Sequence, residues 1–218
     1  VALHSRGGGQ LVTLNAEMTM AALAQTELGA AISQAELVIP DGAGVVWALR
    51  RQGIRVKRSP GIELADQLLA HSARSNWRVA LVGSSAAVME LLKKQLPQKH
   101  PGLQLVLTID GYQPRERWPQ LELVALGIPR QETWINHLHQ GQAGLWMGVG
   151  GSFDVWSGQK KRAPRWMGAL QIEWLYRLVQ EPSRWRRMLA LPQFAFAVLN
   201  GNPPKPAKQK QAAGKTKG

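Results

Sequence analysis

An open α/β sheet, mostly parallel and flanked by helices, is the fold that this sequence predicts, and two observations carry it. Short apolar runs of strand type recur along the chain, and most are separated by stretches of helical period, the mark of parallel βα units with both sheet faces covered. With 218 residues, 44% of them hydrophobic, the chain can bury one sizeable core and is too short for two full domains.

Strands are predicted at Leu11-Val-Thr-Leu14, Glu36-Leu-Val-Ile39, Arg78-Val-Ala-Leu-Val82, Leu103-Gln-Leu-Val-Leu-Thr-Ile109, Leu121-Glu-Leu-Val-Ala-Leu126 and Leu145-Trp-Met-Gly-Val149. Helical patterns fill residues 16–28, 42–51, 61–74, 86–96, 131–139 and 168–179. Asp41 stands where a helix N-cap belongs after the second strand, and Ser84 or Ser85 after the third. The sum is a Rossmann-like α/β body with a basic helical appendage at its C-terminal end. Residues 1–160 form the body and 161–200 the amphipathic appendage. Residues 201–218, rich in Pro, Lys, Gln and Gly with little to bury, are expected to be a disordered tail.

Composition narrows the chemistry. The chain has no cysteine, which removes disulfides, thiolate catalysis and cysteine-based zinc sites and fits a reducing compartment. No apolar stretch reaches the roughly 18 residues of a membrane span, and the start lacks a signal-peptide core. The formal net charge is +13, and residues 160–218 hold thirteen Lys or Arg against Glu173 and Glu181, so that segment alone supplies +11. A near-neutral body with a basic, Trp-containing end points to contact with an anionic surface at one place, phospholipid head groups or nucleic-acid phosphates.

In an open parallel sheet, ligands bind beyond the carboxyl ends of the strands, where turns and helix N-termini gather. That rule selects Thr13-Leu-Asn15, Pro40-Asp-Gly-Ala-Gly44, Gly83-Ser-Ser85, Gly127-Ile-Pro-Arg-Gln-Glu132 and Gly148-Val-Gly-Gly-Ser-Phe-Asp154 as one shared rim. Asp41, ahead of Gly42, reads as a general base whose pKa partial burial would raise, or else as a helix cap. The Gly148 to Asp154 turn lets a diphosphate approach at Gly148 and Gly150 and offers Asp154 to a ribose or base, or it only turns the chain. Gln131 lies in a loop that reads equally as a site or as a helix start. Arg58 is suited to phosphate oxygens, or is a solvated surface charge.

No Asp-X-Asp occurs, so the usual carboxylate pair for bridging a metal to a nucleotide diphosphate is missing. A Gly-X-Ser-X-Gly elbow and a P-loop are also absent, which argues against an α/β-hydrolase and a P-loop NTPase. The five histidines lack metal-ligand spacing. From Pro182 to Leu191 the chain sets Arg184, Arg186 and Arg187 beside Trp185, Met188 and Leu189, and Phe194, Phe196, Val198 and Leu199 follow. Such a segment lies in a membrane interface or packs back on the body.

Taken in order, Thr13-Leu-Asn15-Ala-Glu17, Pro40-Asp-Gly-Ala-Gly44, the residues from Arg58 to Gly61, Gly127-Ile-Pro-Arg-Gln-Glu132, the turn from Gly148 to Asp154, and Arg162-Ala-Pro-Arg-Trp with Glu173-Trp-Leu-Tyr-Arg and Glu181-Pro resemble the WecG/TagA/CpsF glycosyltransferase family. The resemblance implies transfer of an N-acetylmannosamine-type sugar from a UDP donor to a polyprenyl-diphosphate-linked acceptor, during synthesis of a cell-surface polysaccharide or teichoic-acid-like polymer. It implies inversion at the anomeric carbon with no metal and no cofactor. On matching positions Asp41 becomes the base, Thr13 and Asn15 line the sugar pocket, and Arg58 and Gln131 join them. Arg177, Arg184 and Arg187 are the appendage arginines for the diphosphate, with Arg162 at the entrance to the appendage, and Gly83 belongs to the rim. The protein would then sit on the cytoplasmic, inner face of the plasma membrane as a peripheral protein, and a homo-oligomer is compatible with this.

Two departures from the family pattern stand out. The family's opening strand and helix before Thr13 are missing, and only residues 113–120 replace a full helix before Leu121. Two other readings stay open: a non-catalytic nucleotide-sugar binder, and a basic nucleic-acid-binding module built on the Trp and Arg of the last third.

Overall fold

A computed structural model describes residues 7–109, 119–140, 142–169 and 172–201. The expected tail from residue 202 on, and most of the short connection before Leu121, lie outside the described residues. Six strands, β1 (Gly8–Leu14), β2 (Leu37–Pro40), β3 (Arg78–Gly83), β4 (Gln104–Ile109), β5 (Leu121–Ala125) and β6 (Gly144–Gly148), form one all-parallel sheet in the order β2-β1-β6-β5-β3-β4. The predicted α/β class holds, and β5 enters parallel to β3 despite the shortened connection.

Strand alternation explains how the faces are covered. Val79 and Leu81 of β3, Leu121 and Leu123 of β5, and Leu145 and Met147 of β6 turn to one side. They meet Leu68 and Leu69 of α4 (Gly61–Arg74) and Val88, Met89, Leu92 and Leu96 of α5 (Ala86–Lys99), whose apolar residues recur at helical spacing. Val82, Val124 and Trp146 turn to the other side, against Trp134 and Ile135 of α6 (Arg130–Leu138).

The single helix expected over residues 16–28 is two, α1 (Ala16–Ala24) and α2 (Thr26–Gln34). Gln25 between them is extended, at φ −128° and ψ 107°, and its N–H closes the first helix on Ala21 O. The break re-aims α2 so that it packs against α6. Asp41 does not cap α3 (Ala43–Arg51): Gly42 holds the cap position with no side-chain bond, and the aspartate is used elsewhere. Ser85 does cap α5, accepting from Val88 N–H at 3.4 Å.

Past β6 come α7 (Ser152–Trp156), α8 (Arg165–Ala169), α9 (Glu173–Gln180), a 3₁₀ turn (Pro182–Arg184), α10 (Trp185–Met188) and α11 (Ala190–Leu199). Phe153 of α7 is fully buried in the main core, with Trp156 packed against it, and α11 returns to the body farther along the chain. Phe194 sits among Ala16, Val45 and Ala48, a small core of its own shared with α1 and α3.

Candidate active site

Five strand-end turns meet above the sheet and enclose a cavity of about 440 Å³. Thr13, Asn15, Asp41, Arg58, Gln131, Gly148, Gly150, Asp154, Arg162, Arg177, Arg184 and Arg187 all line it. Gly42 and Gly83 do not; they shape its walls from behind. A Cβ at Gly42 would come within 3.0 Å of Asn15 Cβ, and one at Gly83 (φ +96°) within 2.6 Å of Ala125 O, so both mark close backbone approach.

Asp41 is held by its own main chain before its side chain is considered. Its N–H and that of Gly42 both donate to Leu14 O, at 2.9 and 3.3 Å, which extends the β1–β2 pairing by one step. Gly61 N–H, the first amide of α4, donates to Asp41 Oδ1 at 3.1 Å. Position 61 must be glycine because a Cβ there would lie 2.9 Å from Thr13 Oγ1. Oδ2 has no hydrogen bond among the described residues. Burial pushes the Asp41 carboxyl above its ordinary value against the pull of Gly61 N–H, Arg58 and Arg177, and the negative Glu173 adds to the rise.

Arg58 works as a clamp. Its Nε donates to the Asp41 backbone carbonyl at 2.6 Å and its Nη2 to Glu173 Oε2 at 2.5 Å, joining the β2 end to the first turn of α9. Asn15 spends its Oδ1 on capping α1, accepting from Met18 N–H at 2.9 Å, which leaves its amide NH₂ for a ligand. On the far wall, Gln131 Oε1 accepts from Gly150 N–H at 3.1 Å, so α6 braces the β6–α7 turn. Ser84, in the left-handed region at φ +69°, completes the wall between Gly83 and α5.

The appendage supplies most of the charge. Seven cations and five carboxylates line the cavity, and four of the carboxylates are tied to cations. Lys160 Nζ bridges Asp154 Oδ2 and Glu181 Oε1, each at 2.6 Å. Arg184 Nε lies 2.5 Å from Glu181 Oε2, out of line for a hydrogen bond, and Arg187 Nε lies 3.6 Å from Glu17 Oε1. Glu173 holds Arg58, and Arg162 pairs with Glu63 outside the cavity. Among the described residues Arg177 and Lys161 of the lining make no ion pair, and Arg177 is near enough to Asp41 to act on its carboxyl. No group of three or more His, Asp or Glu that could hold a metal ion is found among the described residues.

Sequence reading quoted Glu173, Glu181 and Gly61 within motifs but gave none of them a role in the site, and took Lys160 only as one cation of the basic run. Glu173 and Arg58 are 115 residues apart and Gly61 is 20 from Asp41, so nothing local announces either contact.

Comparison with known proteins agrees with the motifs. The sequence model of the glycosyl transferase WecG/TagA/CpsF family matches residues 1–207. A Bacillus subtilis (strain 168) protein named N-acetylglucosaminyldiphosphoundecaprenol N-acetyl-beta-D-mannosaminyltransferase is 34% identical over 203 residues, 88% of this chain and 79% of its own. A protein of the same name from Bacillus spizizenii is 34% identical over 208 residues, 90% of this chain and 81% of its own. Another, from Staphylococcus aureus (strain MW2), is 33% identical over 199 residues, 86% of this chain and 78% of its own.

Proposed function

The chain belongs to the WecG/TagA/CpsF family of glycosyl transferases, and from that premise we propose that it moves an N-acetylmannosamine-type sugar from a UDP donor to a polyprenyl-diphosphate-linked acceptor. It is a hexosyltransferase, and its relatives are named for the same transfer to N-acetylglucosaminyldiphosphoundecaprenol. The product would be a building unit of a cell-surface polymer.

One observation carries the mechanism: Asp41 lines the cavity with Oδ1 fixed by Gly61 N–H, Oδ2 unengaged among the described residues, and a carboxyl raised by burial. Such a group is a base poised to take a proton. Asp41 Oδ2 removes the proton of the acceptor hydroxyl as that oxygen attacks the anomeric carbon. The bond from that carbon to the UDP oxygen breaks on the opposite face, inverting the centre, and UDP leaves with the electron pair. Arg177 is placed to meet the charge growing on the diphosphate, and Arg184, Arg187 and Lys160 join as the diphosphate displaces Glu181 and Glu17 from them. With these cations in place, the transfer needs no metal. Thr13 and Asn15 face the sugar, and the Gly148 to Gly151 turn faces the nucleotide.

The appendage, residues 161–200, is the part that meets the membrane. On α9 the polar residues Glu173, Arg177 and Gln180 line the cavity, while Trp174 and Leu175 are exposed and Val179 is 71% exposed. A helix that turns its polar face inward and its apolar face outward suits a lipid interface. Trp166, Trp185, Leu189 and Phe196 extend the exposed apolar surface, and Arg186 lies 5.6 Å over the Trp185 ring. No helix among the described residues is long and apolar enough to cross a membrane. The diphosphate of the acceptor would then sit between Arg177 of α9 and the lipid-facing side.

A screen of UDP-sugars against a short polyprenyl-diphosphate-N-acetylglucosamine analogue tests the reaction. Transfer from the N-acetylmannosamine donor, undiminished by a chelator, is expected. Donor binding without transfer would make the chain a nucleotide-sugar binder. Removal of the residues after Leu178 should release the protein from anionic vesicles, and unchanged binding would place the attachment elsewhere.

A further inference from the structure

The first turn of α6 holds an acid that the transfer chemistry leaves unused. Glu132 is 2% exposed and its neighbour Gln131 3%. Gln131 Nε2 donates to Glu132 Oε1 at 2.7 Å, while Gln131 Oε1 accepts from Gly150 N–H at 3.1 Å. The amide is thus spent at both ends, linking the acid to the turn that lines the cavity. A Cβ at Gly148 would fall 2.4 Å from Gln131 Nε2 and 2.9 Å from Glu132 Oε1, so both side chains press against the end of β6 with no room to swing toward it. From β1, Gln10 Nε2 donates to the Glu132 backbone carbonyl at 3.1 Å.

Two atoms of this group lack a hydrogen. Glu132 Oε2 and Gln10 Oε1 are buried acceptors with no donor among the described residues. Glu132 makes no ion pair there either. The titratable groups on the elements around it are Glu27 of α2, Glu36 before β2, Glu122 of β5, and Arg130, His137 and His139 on or next to α6. None of them contributes a charge effect at Glu132; burial does. Leaving a carboxylate in such a place is costly, whereas a proton on Oε2 removes the charge and adds a donor where the unmet groups are acceptors.

We propose that Glu132 is a positioning residue that works as the neutral acid: protonated on Oε2, it keeps its Oε1 carbonyl for the Gln131 amide and so holds Gly150 N–H and the β6–α7 turn in place for the donor diphosphate. The donor side of this inference rests on the UDP-sugar reading above. Burial pushes the Glu132 carboxyl up to about 7, so the competent form drains away as pH climbs past neutrality. The Gln131 amide pulls the other way and favours the charged form, but above that point the buried carboxylate draws water to Oε2, and that water loosens the packing of the brace.

The test compares wild type with Glu132→Gln and Glu132→Leu by UDP-sugar titration from about pH 6 to about pH 9, with denaturant midpoints across about pH 4 to 9. Glutamine presents a carbonyl where the acid has one and an NH₂ where the acid has O–H. Wild type should lose about fivefold in donor affinity across the range, the value of one hydrogen bond, while Glu132→Gln keeps its acid-side affinity throughout and Glu132→Leu is weak at every pH. The folded state holds this proton more tightly than the unfolded chain, so wild-type stability should fall as pH rises from the ordinary Glu value to about 7 and then level off, with Glu132→Gln lacking that step. A folded Glu132→Gln that binds donor at low pH as weakly as Glu132→Leu overturns the proposal, as does a wild type with no stability step. Wild type that binds no UDP-sugar at any pH overturns the donor reading and the coupling together. The denaturation series reads the proton on Glu132 without donor, so the two failures are told apart.

Discussion

At the strand ends, Asp41 is fastened by amides of Gly61 and by the Leu14 carbonyl, and Gly150 by the buried Gln131; in the C-terminal helices, the residues that reach the same cavity are held mainly by pairs of charged side chains. The first set is buried, short-range and independent of salt. The second is half exposed, exchangeable for any other anion, and screened by salt, with each exposed pair worth about 0.2–1 kcal/mol. On the proposed mechanism, that difference puts the chemistry at the rim and the response to ligand and membrane in the appendage. Phe194 is where the two meet by packing instead of charge.

Substitutions on either side of that divide should behave differently. Asp41→Asn removes the base from the rigid half and should lower kcat about a thousandfold while leaving donor affinity close to wild type in a binding titration. Phe194→Ala empties a buried site shared by α1, α3 and α11 and should cost about 3 kcal/mol in denaturant midpoint, loosening the appendage where α11 packs on the body beside Leu191 and Val198. Arg177→Ala removes a cation that no carboxylate pairs with among the described residues and should lower kcat/KM about a hundredfold, measured on the lipid analogue. Glu63→Gln breaks the exposed pair with Arg162 and should change stability by less than about 1 kcal/mol with turnover intact; a large loss there would show that the appendage is held more firmly by charge than its exposure allows.

The sheet was legible because burial on both faces writes Val, Leu and Ile into short runs: all six strands fall where those runs lie, and Gly61–Arg74 begins and ends as its apolar spacing predicts. The site was legible in its types and order. The rule that ligands gather at carboxyl strand ends brought Thr13, Asp41, Gln131 and Gly148 to one cavity although they span most of the chain. What stayed hidden were contacts with no local signature. Arg58 read as a phosphate ligand or as a solvated surface charge, whereas its guanidinium is shared between the Asp41 carbonyl and Glu173. Asp41 read as a base or as the cap of the helix that follows it, and its Oδ1 goes instead to the first amide of a different helix. Gln25 carries no Gly or Pro signal, so the break between α1 and α2 could not be read. The basic end read as a membrane segment or as a helix packed on the body; α11 does pack back through Phe194, and Val179 and Phe196 are each left 71% exposed.

If Asp41 is a desolvated base, the pH dependence of kcat/KM for the acceptor must show its titration. The ionised form is the active one, so the rate should fall as pH drops through the Asp41 pKa. That acid limb should lie above the ordinary Asp value of about 3.9 and be missing from the residual activity of Asp41→Asn. A rate that stays level down to about pH 4, or an acid limb unchanged in the variant, would contradict it.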